Sequence, residues 1–193
     1  ASVTVGALPD MLVFTPDGAK ILVANEGEAD EATGLINPEG SVSVIDVASR
    51  TATTASFTPF NGQKAALQAA GVRLSDVNGI SLAQDVEPEF IAVSADGATA
   101  YVTLQENNAI AVVDVAAATV TSIVPLGEKD HSLPGNEFDA SNQDGIDGNF
   151  QNWPMLGYYM PDALTTFTVN GVEYIATANE GDGRDDFPGF EDE

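Results

Sequence analysis

Leu8-Pro9-Asp10, Val13-Phe14-Thr15-Pro16-Asp17-Gly18 and Leu22-Val23-Ala24-Asn25-Glu26-Gly27 read in order as a strand entry, a strand with its turn, and a second strand. The same phrase returns as Glu87-Pro88-Glu89, Ala92-Val93-Ser94-Ala95-Asp96-Gly97 and Tyr101-Val102-Thr103-Leu104-Gln105-Glu106. It returns again as Met160-Pro161-Asp162, Phe167-Thr168-Val169-Asn170-Gly171 and Tyr174-Ile175-Ala176-Thr177-Ala178-Asn179-Glu180-Gly181. A repeated unit signals a repeat architecture.

The first copy predicts strands over Met11–Thr15 and Ile21–Ala24, because Asp-Gly between apolar runs marks a hairpin. Ser41–Val47 alternates polar and apolar residues, as a strand with one buried face does, and Thr51–Phe57 is Thr-rich like an outer strand. One unit is thus a four-stranded antiparallel meander. The second unit repeats the order with Phe90–Ser94, Ala100–Leu104, Ala109–Val115 and Thr119–Pro125. The third has Ala163–Val169 and Glu173–Ala178, joined at Asn170-Gly171.

Four-stranded units repeated radially are the blades of a β-propeller, so the predicted fold is all-β. Blade one covers about 8–57, an insertion 58–86, blade two about 87–126, a second insertion 127–159, and the start of a third blade 160–193. The steps of 79 residues from Pro9 to Pro88 and 73 from Pro88 to Pro161 exceed the 40–45 of a compact blade, and the excess lies in the insertions. A short helix is expected over Gln63–Ala70, stopped by Gly71, and a long ordered loop over 127–159. About two and a half blades do not close a ring, since propellers use about four or more. The expectation is therefore a fragment of a larger propeller whose other blades, on the same or another chain, are its partners. In that ring Ser2–Val5 would complete the last blade.

In 193 residues there are 30 acidic against 6 basic side chains, a formal charge of −24. Nucleic acid and anionic membranes are poor partners for such a surface; divalent cations or a basic partner suit it better, and solubility in salt is the bland alternative. With no cysteine there is neither a disulfide framework nor a thiolate metal site. No apolar run reaches the length of a membrane span.

In a hairpin, the start of the first strand and the end of the second share one end. Asp10 is thus expected beside Glu26, Glu89 beside Glu106, and Asp162 beside Glu180. First strands line the channel of a propeller, which puts these carboxylates at one rim, with Asn25, Gln105 and Asn179 adding amide oxygens. Like charges crowded together stay ionised only around a cation; otherwise some hold protons. Oxygen-only donors suit Ca²⁺, or Mg²⁺. The competing reading is that Pro-Asp and Asn-Glu only fix turns.

Weaker metal candidates are Asp139, Asp144 and Asp147, in a stretch that fails the EF-hand pattern, and Asp182. The acidic loop Glu26–Glu31 reads mainly as solvated. His131, the single histidine, is a weak general acid–base candidate, with loop hydrogen bonding as its ordinary role. Arg184 is a weak candidate for holding an anion, or else an ion-pair partner of Asp182 and Asp185. Trp153 reads as loop packing.

Leu8-Pro9-Asp10-Met11 through Gly27, Tyr101–Ile110, Lys129-Asp130-His131-Ser132-Leu133-Pro134-Gly135-Asn136 and Thr177–Asp182 resemble the choice-of-anchor I family over nearly the whole chain. The resemblance implies a bacterial secreted, periplasmic or cell-surface protein and a ring of the seven-bladed kind. Members are often described as alkaline phosphatase-like or phytase-like, which implies metal-dependent hydrolysis of a small phosphoester. The alternative is a non-catalytic surface or matrix protein that binds a ligand and uses cations structurally. No catalytic residue is carried over from the family.

Overall fold

The computed structural model describes residues 2–29, 36–75, 79–141 and 143–181. Blade one is a meander of β1 (Pro9–Phe14), β2 (Lys20–Asn25), β3 (Ser41–Asp46) and β4 (Thr51–Ser56), each antiparallel to the next. Blade two repeats it as β5 (Pro88–Val93), β6 (Thr99–Leu104), β7 (Ala109–Asp114) and β8 (Thr119–Pro125). The predicted order is borne out, with boundaries within one or two residues of those read from the sequence.

The hairpin turns explain why the first two strands of each blade meet. Asp17 accepts from the Thr15 hydroxyl at 2.6 Å and from the Ala19 N–H at 3.0 Å, while Gly18 takes a left-handed φ of 70°. Asp96 repeats this with Ser94 and Ala98. The hairpins expected at Asp-Gly are present, and in both the aspartate side chain closes the turn.

The third sheet pairs β11 (Pro161–Val169) with β12 (Val172–Asn179), after β9 (Glu128–Asp130) and β10 (Leu156–Tyr158). Asn170 and Gly171 both take positive φ, 52° and 79°, the type I′ geometry of a two-residue hairpin.

The core runs between blades one and two. Leu22, Val42, Val102, Ala111 and Val113 are buried from the middle strands, and Phe57, Val72, Leu82 and Val86 from the insertion join them. β5 packs between β1 and β11, so the first strands of successive blades stand side by side, as they do around a channel. The sheets are open: Leu12 and Phe14 of β1, and Phe167, Val169, Val172 and Tyr174 of the third sheet, are exposed large side chains. Ser2–Val5 forms no strand.

The first insertion begins as a 3-10 turn, Thr58–Gln63, where Pro59 presets the entry, and continues as α1 (Lys64–Ala69). The expected helix is thus present but starts earlier, and Gly71 ends it with φ 105°. A second turn, α2 (Leu82–Asp85), comes from a capping box between Ser81 and Gln84 that the sequence reading overlooked. The stretch expected as loop from 127 to 159 contains the β9–β10 pair. Glu-Lys-Asp in β9 lacks the apolar alternation that marks a strand, which is why it was unreadable.

Candidate functional site

Pro9, Pro88 and Pro161 each open a first strand, pairing with Asn25, Leu104 and Asn179 respectively. Each is followed by a register shift, before Leu12, Ile91 and Leu164. Asp10, Glu89 and Asp162 therefore occupy the same irregularity in three blades. An irregularity of this kind re-aims a side chain away from the simple alternation of a strand.

The register also changes the repeat alignment. Because Leu104 stands where Asn25 and Asn179 stand, Gln105 is the counterpart of Glu26 and Glu180, and Glu106 lies one residue further on. The sequence phrase had matched Gln105-Glu106 with Asn25-Glu26, one position out. Spacing alone does not show this, since 16 residues separate Asp10 from Glu26 but 18 separate Asp162 from Glu180; the strand pairing does.

Glu89 is the centre of the site. Its carboxyl is partly buried and hydrogen-bonded to Glu106, and Glu26 and Asp162 act on it as further negative charges. Burial, the first cause, and then the neighbouring Glu106 push its pKa up to about 10. At neutral pH Glu89 thus holds a proton shared with Glu106. The Gln105 amide, oriented with its nitrogen toward Glu89, donates to Oε2 at 2.6 Å. Expected neighbours Glu89 and Glu106 are brought together, and Glu26 and Asp162 add negative charge at Glu89 from blades one and three.

Two glycines let blade one come so close. A Cβ on Gly40 would lie 2.1 Å from the Val86 carbonyl oxygen and 2.7 Å from Pro88 Cδ. One on Gly27, already at φ 71°, would lie 2.7 Å from Gly40 N. The segment after β2 therefore presses directly on the entry to β5, and Glu26 follows it. Its amide is fixed by the Leu8 carbonyl at 2.9 Å.

Asp10 and Glu180 are exposed at the same end and are not among the charges that act on Glu89. Asn25 turns inward: its Oδ1 accepts from Gly6 N–H and its Nδ2 donates to Ser43 Oγ at 3.0 Å. Among the described residues no three acidic or histidine side chains stand close enough to hold an ion between them. What the site offers a hard cation is a pair of hydrogen-bonded carboxyls, oxygen-only, with added negative charge from two neighbouring blades.

The weaker candidates lie elsewhere. Asp139 accepts from the N–H groups of Ser141, Gly148 and Asn149, and Asp144 from Ile146 N–H and Asn149 Nδ2. Both carboxylates are turned onto loop donors, and Asp147 is exposed. The His131 Nδ1 meets the Asn136 carbonyl at 2.8 Å, its ring packs 4.3 Å from Phe138, and Gly157 backs its other nitrogen. Trp153 packs as expected, donating to the Phe138 carbonyl. Asp182, Asp185 and Arg184 lie outside the described residues, as do Asp30 and Glu31.

The sequence reading passed over Asp85, which is fully buried. It takes Lys64 Nζ at 2.8 Å and Ser75 N–H on both oxygens. An acidic residue just before Val-Glu-Pro gave no sign of a lysine 21 positions earlier.

Consecutive four-stranded meanders with their first strands side by side define a β-propeller, here open. The chain belongs to the choice-of-anchor I family, whose domain it matches over residues 1–193. Among solved structures it is similar to the hydrazine synthase of Kuenenia stuttgartiensis, at 18% identity and TM-score 0.42, over 85% of this chain and 27% of that one. It is also similar to the β-propeller domain of Cps50 (Swd1) from Myceliophteria thermophila, at 11% identity and TM-score 0.38, over 91% and 40%. The chain thus spans well under half the length of these structures. No curated protein matches it.

Proposed function

We propose that the rim around Glu89 and Glu106 is a divalent-cation site, best suited to Ca²⁺, in a propeller that works outside the bacterial cell. The observation that carries this reading is the hydrogen-bonded pair of Glu89 and Glu106, on which Glu26 and Asp162 of the flanking blades act as further negative charges. A divalent ion in place of the proton the pair shares would relieve the repulsion that raises the Glu89 pKa. Glu89 and Glu106 would hold it, with Glu26 and Asp162 adding attraction. Export is supported by family membership.

The same pair favours a phosphoester hydrolase over a purely structural use of the ion. Carboxylates that give up a shared proton to an incoming ion are left able to accept one from an attacking water. A bound cation supplies charge neutralisation at phosphate and a more acidic water. Glu89 or Glu106, ionised around the cation, would then accept the proton of the attacking water, and the leaving alkoxide would take one from solvent. A non-catalytic surface protein, in which the ion only stiffens the rim, is the alternative, and the small number of basic residues favours it.

Calorimetric titration of the protein with Ca²⁺, paired with the Glu106→Gln variant, tests the site. Saturable binding that the variant weakens is expected; equal heats in both would leave the rim as turn chemistry. Hydrolysis of p-nitrophenyl phosphate and its diester, with and without chelator, separates the two readings. Chelator-sensitive turnover supports the hydrolase, and Ca²⁺ binding without turnover supports the structural role.

A further inference from the structure

The two insertions enclose a pocket of about 410 Å³ that the rim site does not use. On one side it is lined by Val72, Arg73 and Leu74 of the first insertion, with Gln68 from α1. On the other stand Glu128 of β9 and Tyr158 of β10, which are register partners. Its volume lies within the range of about 300–1,000 Å³ common to small-molecule sites.

Two consecutive residues with no exposed surface, Asn107 and Asn108, set the distance between these walls. The Asn107 amide donates to the Arg73 carbonyl at 3.0 Å and the Asp85 carbonyl at 2.9 Å, and its own carbonyl accepts from Arg73 N–H. The Asn108 amide donates to the Gly127 carbonyl at 2.7 Å, and its Oδ1 accepts from Tyr159 and Met160 N–H. Arg73 is steadied further by a bond from Nη1 to the Glu106 carbonyl at 3.0 Å. Walls fixed from a buried centre make a preorganised pocket, which lowers the ordering cost of binding.

We propose that this pocket binds a neutral saccharide residue. The guanidinium of Arg73 and the carboxylate of Glu128 cancel in charge, so the lining does not select an ion. An anion would also meet the field of a protein of charge −24. Vicinal hydroxyls are donors and acceptors at once, which matches a guanidinium with a glutamine amide on one wall and a carboxylate on the other. Tyr158 is about half exposed and supplies the ring against which the C–H face of a pyranose packs. Val72 and Leu74 give the apolar floor.

Saturation-transfer NMR tests this, using methyl glucoside, methyl galactoside, N-acetylglucosamine and cellobiose as probes, with glycine and inorganic phosphate as charged comparators. Chelator is present throughout, so the outcome is independent of the rim site. Tyr158→Ala and Glu128→Gln change exposed side chains, and circular dichroism verifies their fold. Transfer to at least one saccharide, weakened about tenfold by Tyr158→Ala and also reduced in Glu128→Gln, is expected. Absence of transfer to every saccharide overturns the proposal, as does binding of glycine or phosphate alone. Saccharide binding that both variants leave unchanged places it elsewhere and also overturns it.

Discussion

Replacing Glu89 by glutamine should stabilise this protein at neutral pH. The side chain titrates near 4.5 when free and is pushed up to about 10 in the fold. The folded state therefore binds a proton that the unfolded chain gives up throughout that interval. Stability contributed by this proton is fully present below pH 4.5 and is lost progressively as pH rises toward 10. Each pH unit corresponds to about 1.4 kcal/mol, so at pH 7 the cap is about 3 kcal/mol. Glu89 is not fully buried, and solvent screening brings the expected gain for Glu89→Gln to about 1–3 kcal/mol.

Urea unfolding followed by circular dichroism at pH 5, 7 and 9 gives the comparison. The variant and the wild type should be nearly equal at pH 5 and diverge with pH, the variant being the more stable. The difference isolates Glu89, because Asp17, Asp46 and Asp96, whose pKa values are lowered by turn hydrogen bonds, lose their contribution only in acid. If the variant is less stable than wild type at pH 9, or the two curves stay parallel, the shared proton is not the feature that governs this rim. Saturating Ca²⁺ should flatten the wild-type curve and leave the variant's almost unchanged.

Lys64→Met should destabilise by about 3–5 kcal/mol in the same unfolding assay, since it strands the buried Asp85 carboxylate, and Lys64→Met with Asp85→Asn should recover part of the loss. Gly40→Ala should cost about 2 kcal/mol or more and weaken Ca²⁺ binding together with stability, because its Cβ forces blade one away from Val86. Tyr101→Phe removes the 2.9 Å bond to Glu173 that ties blade two to the third sheet; a loss of about 1 kcal/mol in thermal unfolding is expected.

The strand order of both complete blades, the Asn-Gly hairpin of the third and the contact of Glu89 with Glu106 were all readable from residue patterns. Those features rest on local chemistry: apolar runs mark the strands, and Asp-Gly or Asn-Gly supplies the backbone angles a tight turn needs, whereas the single buried face expected of Ser41–Val47 is not found, because β3 is covered on both faces. The one-residue misalignment at Gln105 had a cause of the same kind. Two glutamates followed amides, and likeness of residues outweighed the register, in which Pro88 pairs with Leu104.

What the chain alone determined is the repeat, and with it the meeting of the two ends of each hairpin. Only the tertiary structure decided how the blades address one another. Gly27 and Gly40 admit backbone contact between blade one and β5, Lys64 neutralises Asp85 beneath the first insertion, and Asn107 and Asn108 space the insertions apart. These are contacts between residues far apart in sequence, set by packing and by the need to satisfy buried polar groups. The charge state of Glu89 belongs to the same level. No carboxylate sequence predicts that the Glu89–Glu106 pair keeps a proton, because burial and the neighbours from other blades raise its pKa, and these exist only once the blades have packed.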